Sequence, residues 1–256
     1  MRKLAILGCV ILLTLAGCET ISTNNTDTAS IALADTALKE RNIPKAIELY
    51  QAALLKNPFN VEIKNKLAGC YLLQNNIPQA LKIYQTVLSQ DKKNLTALRG
   101  ISRAYLLNGD APAARPSLEQ VVALSATSNN ISALGTVYDM LGDHKAAQQQ
   151  YDLALSKTPT DLAIINNKAF SLLMTGDTKN AIALLEKVIN TEGITPQQRG
   201  NLALAYVLNN ETDKAQTFLS KFFSPAEAQK SLEDFTAVKD RSAKGESLRA
   251  ILFNKS

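Results

Sequence analysis

Small and large apolar positions recur along this chain with a period close to 34 residues. One column is alanine throughout: Ala46, Ala80, Ala114, Ala147, Ala181 and Ala215, with only the third interval one residue short. Four residues later stand Tyr50, Tyr84, Leu118, Tyr151, Leu185 and Leu219, and three further on Ala53, Val87, Val121, Ala154, Val188 and Phe222. Twelve residues before each alanine lies another small residue: Ala34, Ala68, Ser102, Gly135, Ala169 and Ala203. Steps of three and four share one helical face, so each period predicts two helices. Helices cross closely only where a side chain at the crossing is small, and the two small columns supply that crossing. The large residue one turn on fills the gap to the next pair. A repeat of this length predicts stacked helical hairpins.

Helix boundaries repeat as well. The second helices of the first three copies open at Asn42-Ile43-Pro44, Asn76-Ile77-Pro78 and Asp110-Ala111-Pro112. Proline costs little in a first turn, where its missing N–H has no intrahelical partner. The turns carry Asn75, Gly109, Gly142, Gly176 and Asn210, which tolerate a left-handed backbone; Arg41 is the exception. Pro58 and Pro159 follow the second helices of copies one and four. Pro116 lies near the fifth residue of its helix and predicts a local distortion. The polar stretch 125–130 follows the short copy and is where a hinge would lie. Lys168 occupies a column otherwise filled by Leu33, Leu67, Ile101, Leu134 and Leu202, and is expected to extend its amine to water.

After Phe223 the pattern changes. Ser224-Pro225-Ala226-Glu227 is a capping box, and the helix behind it brings Ala228, Leu232, Phe235 and Val238 near one face. Residues 224–239 are therefore expected to close the open end of the array. Residues 240–256 are polar and basic, with a short apolar stripe of Leu248, Ile251 and Leu252. That tail reads either as a frayed end or as a docking segment. Taken together, the columns resemble the tetratricopeptide repeat (TPR) family over roughly residues 27–223. The resemblance implies an all-α, right-handed TPR superhelix, an α-solenoid of about six hairpins plus a C-terminal capping helix. The array at 29–223 would divide at about 27–60, 61–94, 95–127, 128–161, 162–195 and 196–223.

The first 17 residues do not join the pattern. Arg2 and Lys3 precede an apolar stretch at 4–15, too short for a comfortable permanent span, which is the form of a secretory signal. It ends Leu15-Ala16-Gly17-Cys18, which resembles the lipobox of bacterial lipoproteins. That resemblance implies removal of residues 1–17 and acylation of Cys18, first on sulfur and then on the new amine. The other reading is an ordinary signal peptide followed by an incidental cysteine. Two or more acyl chains anchor a protein stably where one does not. Glu19 stands where an Asp would imply inner-membrane retention, so the resemblance favours the outer membrane with the body facing the periplasm. Residues 18–28 are polar and aperiodic, and predict a flexible tether.

Charge and chemistry narrow the function. The formal charge of +5 falls to about +3 without Arg2 and Lys3, and there is no Trp. This gives no basis for nucleic-acid binding. No catalytic constellation is evident. The single histidine, His144, falls in a turn where exposure is expected, and no Cys or His partners accompany it for a metal. The chain reads as a non-enzyme with no cofactor beyond covalent lipid on Cys18. Cys9 leaves with the signal. Cys70 shares its column with Thr36, Ala104, Val137, Ser171 and Ala205, so it reads as a small core thiol. The alternative for an odd cysteine in an oxidising compartment is pairing between chains.

A binding surface remains. In the TPR family the first helices line a concave groove, and the matching positions include Asp35, Asn65, Arg99, Arg103, Asn166, Phe170 and Leu204. Arg99 and Arg103 share a face and could hold a carboxylate. Asn167 and Asn201 are equivalent positions that could hydrogen-bond a peptide backbone. The alternative is a solvated groove without a ligand. The stretch 166–172 with Thr175-Gly176-Asp177, then Ala181-Ile182-Ala183-Leu184-Leu185, then 193–205 containing Arg199-Gly200-Asn201-Leu202-Ala203-Leu204-Ala205, resembles TadD. TadD is the family of TPR lipoproteins of the Tad (Flp) pilus assembly system. Lys168 and Gly200 depart from its pattern. The resemblance implies a scaffold or pilotin that binds the secretin or another Tad component. A competing reading is an envelope adaptor that regulates or delivers substrates to a periplasmic protease.

Overall fold

The computed structural model describes residues 23–253. The signal segment, Cys18 and most of the expected tether lie outside them. Among the described residues there are fourteen helices and no strand. The chain divides into two compact units at residues 63 and 64.

The first unit holds the hairpin of α1 (Thr23–Lys39) and α2 (Ile43–Lys56), and the first turn of α3 (Val61–Leu73). Helix α1 starts inside the stretch expected to be tether. Ala34 and Ala46 are fully buried, as a close crossing requires. The Tyr50 hydroxyl donates to the Asp35 carboxylate, so Asp35 is spent within its own hairpin.

The second unit runs through α4 (Ile77–Gln90), α5 (Leu95–Leu107), α6 (Ala111–Leu124), α7 (Ser128–Leu141), α8 (His144–Lys157), α9 (Leu162–Met174), α10 (Thr178–Glu186), α11 (Pro196–Leu208) and α12 (Thr212–Phe222). Each helix from α4 on packs against the next. Ala80, Ala114, Ala147, Ala181 and Ala215 are fully buried, and Ala68, Ala169 and Ala203 with them. Gly135 shows why its column must be small. A Cβ there would stand 2.7 Å from Tyr151 Cε1.

The local signals act alike from copy to copy. Asn42, Asn76, Asp110, Asp143 and Asp177 each accept, through the side chain, the N–H three residues on. This satisfies one of the donors a helix start leaves unpaired. Arg41, Asn75, Gly109, Gly142, Gly176 and Asn210 all have positive φ, between 58° and 83°. Arg41 thus adopts the same left-handed turn although its type does not favour it.

Several expectations are modified. Helix α6 continues through Pro116. Residues 125–127 are irregular, but Asn130 braces them: its Nδ2 donates to the Ser125 carbonyl at 2.6 Å, and Thr127 caps α7. Lys168 does not only reach water; its ammonium pairs with Asp152 on α8. The third apolar column holds through Ala154, which is fully buried, then fails. Helix α10 stops at Glu186, leaving Val188 in the turn beyond it, and Phe222 is exposed. Here a different brace takes over. Glu186 accepts hydrogen bonds from Tyr206 at 2.7 Å and Lys214 at 2.8 Å. Those bonds hold the Glu186 carboxyl below its ordinary range, the Lys214 bond contributing most.

Helix α13 (Pro225–Ala243) begins with the expected capping box and extends past 239. Its Ala228, Leu232 and Phe235 pack on Ala203 and Leu219, covering the end of the array. Gly245, at φ 94°, then reverses the chain into α14 (Leu248–Phe253). Leu252 packs against the core of α9 to α12.

A polar-floored cavity on the first helices

Four of the residues expected to line the groove are already engaged with neighbouring hairpins. Asn65 Nδ2 donates to Asn94 Oδ1 at 3.2 Å. Arg99 Nε donates to Asn130 Oδ1 at 3.1 Å. Asn201 Nδ2 donates to Asn166 Oδ1 at 2.8 Å. Each bond joins one hairpin to the next, so these side chains set the stacking of hairpins. Leu204 is buried in the core of α9 to α12 and is not a surface residue. Arg103 remains exposed one turn beyond Arg99. Cys70 is buried in α3, as its column implies.

Asn167 and Phe170 are brought to a cavity of about 570 Å³. Ala111 and Pro112 at the start of α6, Met140 and Leu141 at the end of α7, and Phe170 on α9 form its apolar walls. Thr136, Asp139, Tyr151 and Asn167 bring polar groups into it, and Arg249 from α14 lies at its edge. An apolar chamber with a few convergent polar groups is the usual form of a recognition site.

The floor is an organised network. The Tyr151 hydroxyl donates to Asp139 Oδ2 at 2.9 Å and the Ser171 hydroxyl to Asp139 Oδ1 at 2.6 Å. His144 Nδ1 lies 2.8 Å from the same Oδ1. The Asp139 and His144 side chains are each 16% exposed, so His144 is not the open turn residue that was expected. Burial first, and then the Asp139 charge, push the Tyr151 hydroxyl well above its usual pKa. It therefore stays a neutral donor. Charge-assisted bonds of this kind are what permit a carboxylate in a largely apolar setting.

This network was missed in the sequence, although a signal was there. The other copies place Leu38, Leu72, Leu106, Leu173 and Val207 in the column of Asp139. They place Ile43, Ile77, Ala111, Thr178 and Thr212 in the column of His144. An acid and a base in two mostly apolar columns of one copy mark a paired exception.

Ser, His and Asp meet here, but not in a hydrolase arrangement. Nucleophilic catalysis needs the serine hydroxyl on the imidazole and the carboxylate behind it. Ser171 donates instead to Asp139, and Ser171 is fully buried. Among the described residues no cluster of three or more His, Cys, Asp or Glu could hold a metal. No helix among them is long and apolar enough to cross a membrane.

The tetratricopeptide repeat family model matches residues 37–103 and 72–135. No curated protein is matched by the sequence. Among solved structures, pilF of Pseudomonas aeruginosa is 15% identical with a TM-score of 0.70, covering 84% of this chain and 98% of that one. A thermophilic TPR protein of Thermus thermophilus is 21% identical with a TM-score of 0.56, over 71% and 99%. A MamA protein is 20% identical with a TM-score of 0.56, over 75% and 96%. At these identities the likeness is one of fold.

Proposed function

We propose that this all-α TPR solenoid, built as a protein–protein interaction scaffold, works as a lipid-anchored assembly factor of the bacterial envelope. Cys18 carries the acyl chains, the anchor lies in the outer membrane, and the body faces the periplasm. The partner is the secretin or another component of a Tad (Flp) pilus apparatus, the output is binding, and no reaction is assigned. The observation that carries the reading is Leu15-Ala16-Gly17-Cys18 directly after the apolar stretch 4–15, with Glu19 following. The motifs of residues 166–205 that resemble TadD give it direction. The physical logic is confinement. A lipid-fixed body and a membrane-embedded partner share one plane, which raises their effective concentration without new contacts.

Two measurements test it. Cys18→Ser should abolish palmitate labelling and release the protein from the membrane fraction. Deletion of the gene should abolish surface pili and reduce secretin multimers in the outer membrane. Label retained by Cys18→Ser overturns the anchor. Normal piliation in the deletion strain overturns the pilus role, and a co-purifying periplasmic protease would then favour the adaptor reading.

A further inference from the structure

Helix α14 brings Arg249 back to the edge of the cavity. Gly245 turns the chain after α13, and Arg241 Nη2 pairs with Glu246 at 2.5 Å to brace the bend. Ser247 Oγ accepts from the Ala250 N–H at the start of α14. Arg249 then reaches a residue 109 positions earlier, its Nη2 donating to the Met140 carbonyl at 2.5 Å.

The place it reaches suits a cation. Helix α7 ends at Leu141, and its last carbonyls lack intrahelical donors. Gly142 and Asp143 satisfy the carbonyls of Asp139 and Tyr138 through their N–H groups, and Arg249 takes that of Met140. The helix end carries partial negative charge, and the Asp139 carboxylate lies in the same cavity. Gly142 lets the guanidinium approach: a Cβ there would stand 3.3 Å from Arg249 Nη1. Beside this polar point, Met140, Leu141 and Phe170 offer an apolar wall, and α14 carries Leu248, Ile251 and Leu252 next to its arginine.

Three features show that α14 is lightly held. It is six residues long, Arg249 is itself exposed, and Leu248, Ile251 and Leu252 are only partly buried. We propose that this cavity is a receptor for a short amphipathic helix bearing an arginine, that α14 guards its edge through Arg249 in the unpartnered chain, and that a partner segment of the same chemistry binds by displacing Arg249 from the Met140 carbonyl. The inference rests on the first-helix face being the binding surface, and on no particular assembly. Its failure would leave the anchor and pilus tests untouched. The tail thus acts as a competitive guard, since an intramolecular arginine already at the Met140 carbonyl sets a threshold that a weak ligand cannot pass.

A fluorescein-labelled peptide of residues 246–256 stands in for the partner segment, read by fluorescence anisotropy against the full chain. The wild-type chain should bind it weakly. The Arg249→Ala chain, whose own helix has lost its polar anchor, should bind it at least threefold more tightly. A peptide carrying Arg249→Ala should bind neither chain. Hydrogen exchange of the amides of residues 248–253 should accelerate in the Arg249→Ala chain. Equal affinity of the two chains overturns the guard. No binding of the wild-type peptide to the Arg249→Ala chain overturns the receptor site. A concentration-dependent dimer lost in Arg249→Ala would show tail exchange between copies, and would overturn the guard within one chain.

Discussion

Two glycines face one tyrosine, and they should respond to alanine with opposite signs. Gly69 on α3 and Gly100 on α5 both lie against Tyr84 of α4. A Cβ on Gly69 would meet only the Tyr84 hydroxyl oxygen, at 3.8 Å, an ordinary contact. Gly69→Ala should therefore express its helix propensity and stabilise by about 0.5–1 kcal/mol. A Cβ on Gly100 would fall 2.2 Å from Tyr84 Cζ, 2.4 Å from Cε2 and 2.5 Å from Cε1. Relief requires the ring to move by more than about 1 Å, and Tyr84 is only 4% exposed. Overpacking of that kind costs about 1–3 kcal/mol, which outweighs the propensity gain. Urea denaturation followed by far-ultraviolet circular dichroism should show a higher midpoint for Gly69→Ala and a lower one for Gly100→Ala. The penalty should shrink in a Tyr84→Leu background, because leucine serves this column in copies three, five and six. If Gly100→Ala matched or exceeded Gly69→Ala in stability, the reasoning would be refuted.

Two further perturbations probe the turns and the last hairpins. Arg41→Gly relieves a left-handed backbone at φ 60° and should raise the thermal midpoint by the equivalent of about 0.5–1 kcal/mol, measured by calorimetry; an unchanged or lower midpoint would contradict the strain. Glu186→Gln should flatten the acid limb of stability. Its folded pKa is lowered, so its contribution is present above the unfolded value of about 4.3 and is lost as pH falls through the folded value. Glu186 and Lys214 are 42% and 49% exposed, which keeps the contribution below about 1 kcal/mol. Parallel melting curves for wild type and Glu186→Gln between pH 3 and pH 6 would count against the brace.

Periodicity made the hairpins legible because packing repeats. Ala46 through Ala215 must be small in every copy, and the caps Asn42 through Asp177 must each accept an N–H. The candidate site was legible only in part. Asn167 and Phe170 were reached from their position on the first helix. Asn65, Arg99, Asn166 and Asn201 sit on the same helices, yet they bond to the neighbouring hairpin, and that partner cannot be read from a single helix. Leu204 was misplaced because it belongs to the core of α9 to α12, against which Phe235 and Val238 of α13 and Leu252 of α14 pack. Asp139 and His144 lie outside the repeat columns that were followed. Arg249 was beyond reach for another reason: its contact joins residues 109 apart, and no local spacing encodes it.

The carboxylate of Asp139 also bears on how a repetitive chain keeps its copies in order. Seams built only from alanine, leucine and tyrosine are nearly interchangeable, so a hairpin could stack on the wrong neighbour at little cost. The seam between α7 and α9 is not interchangeable. Apart from Thr36 on α1, only α9 presents a hydroxyl, Ser171, in the column where α3, α5 and α11 offer Cys70, Ala104 and Ala205. Stacked on any of those three, Asp139 would lose its bond from the neighbouring hairpin and be left under-solvated, a penalty of about 1–3 kcal/mol for each unmet partner. One acid among leucines thus works as a serial number, marking the fourth hairpin as the one that precedes the fifth.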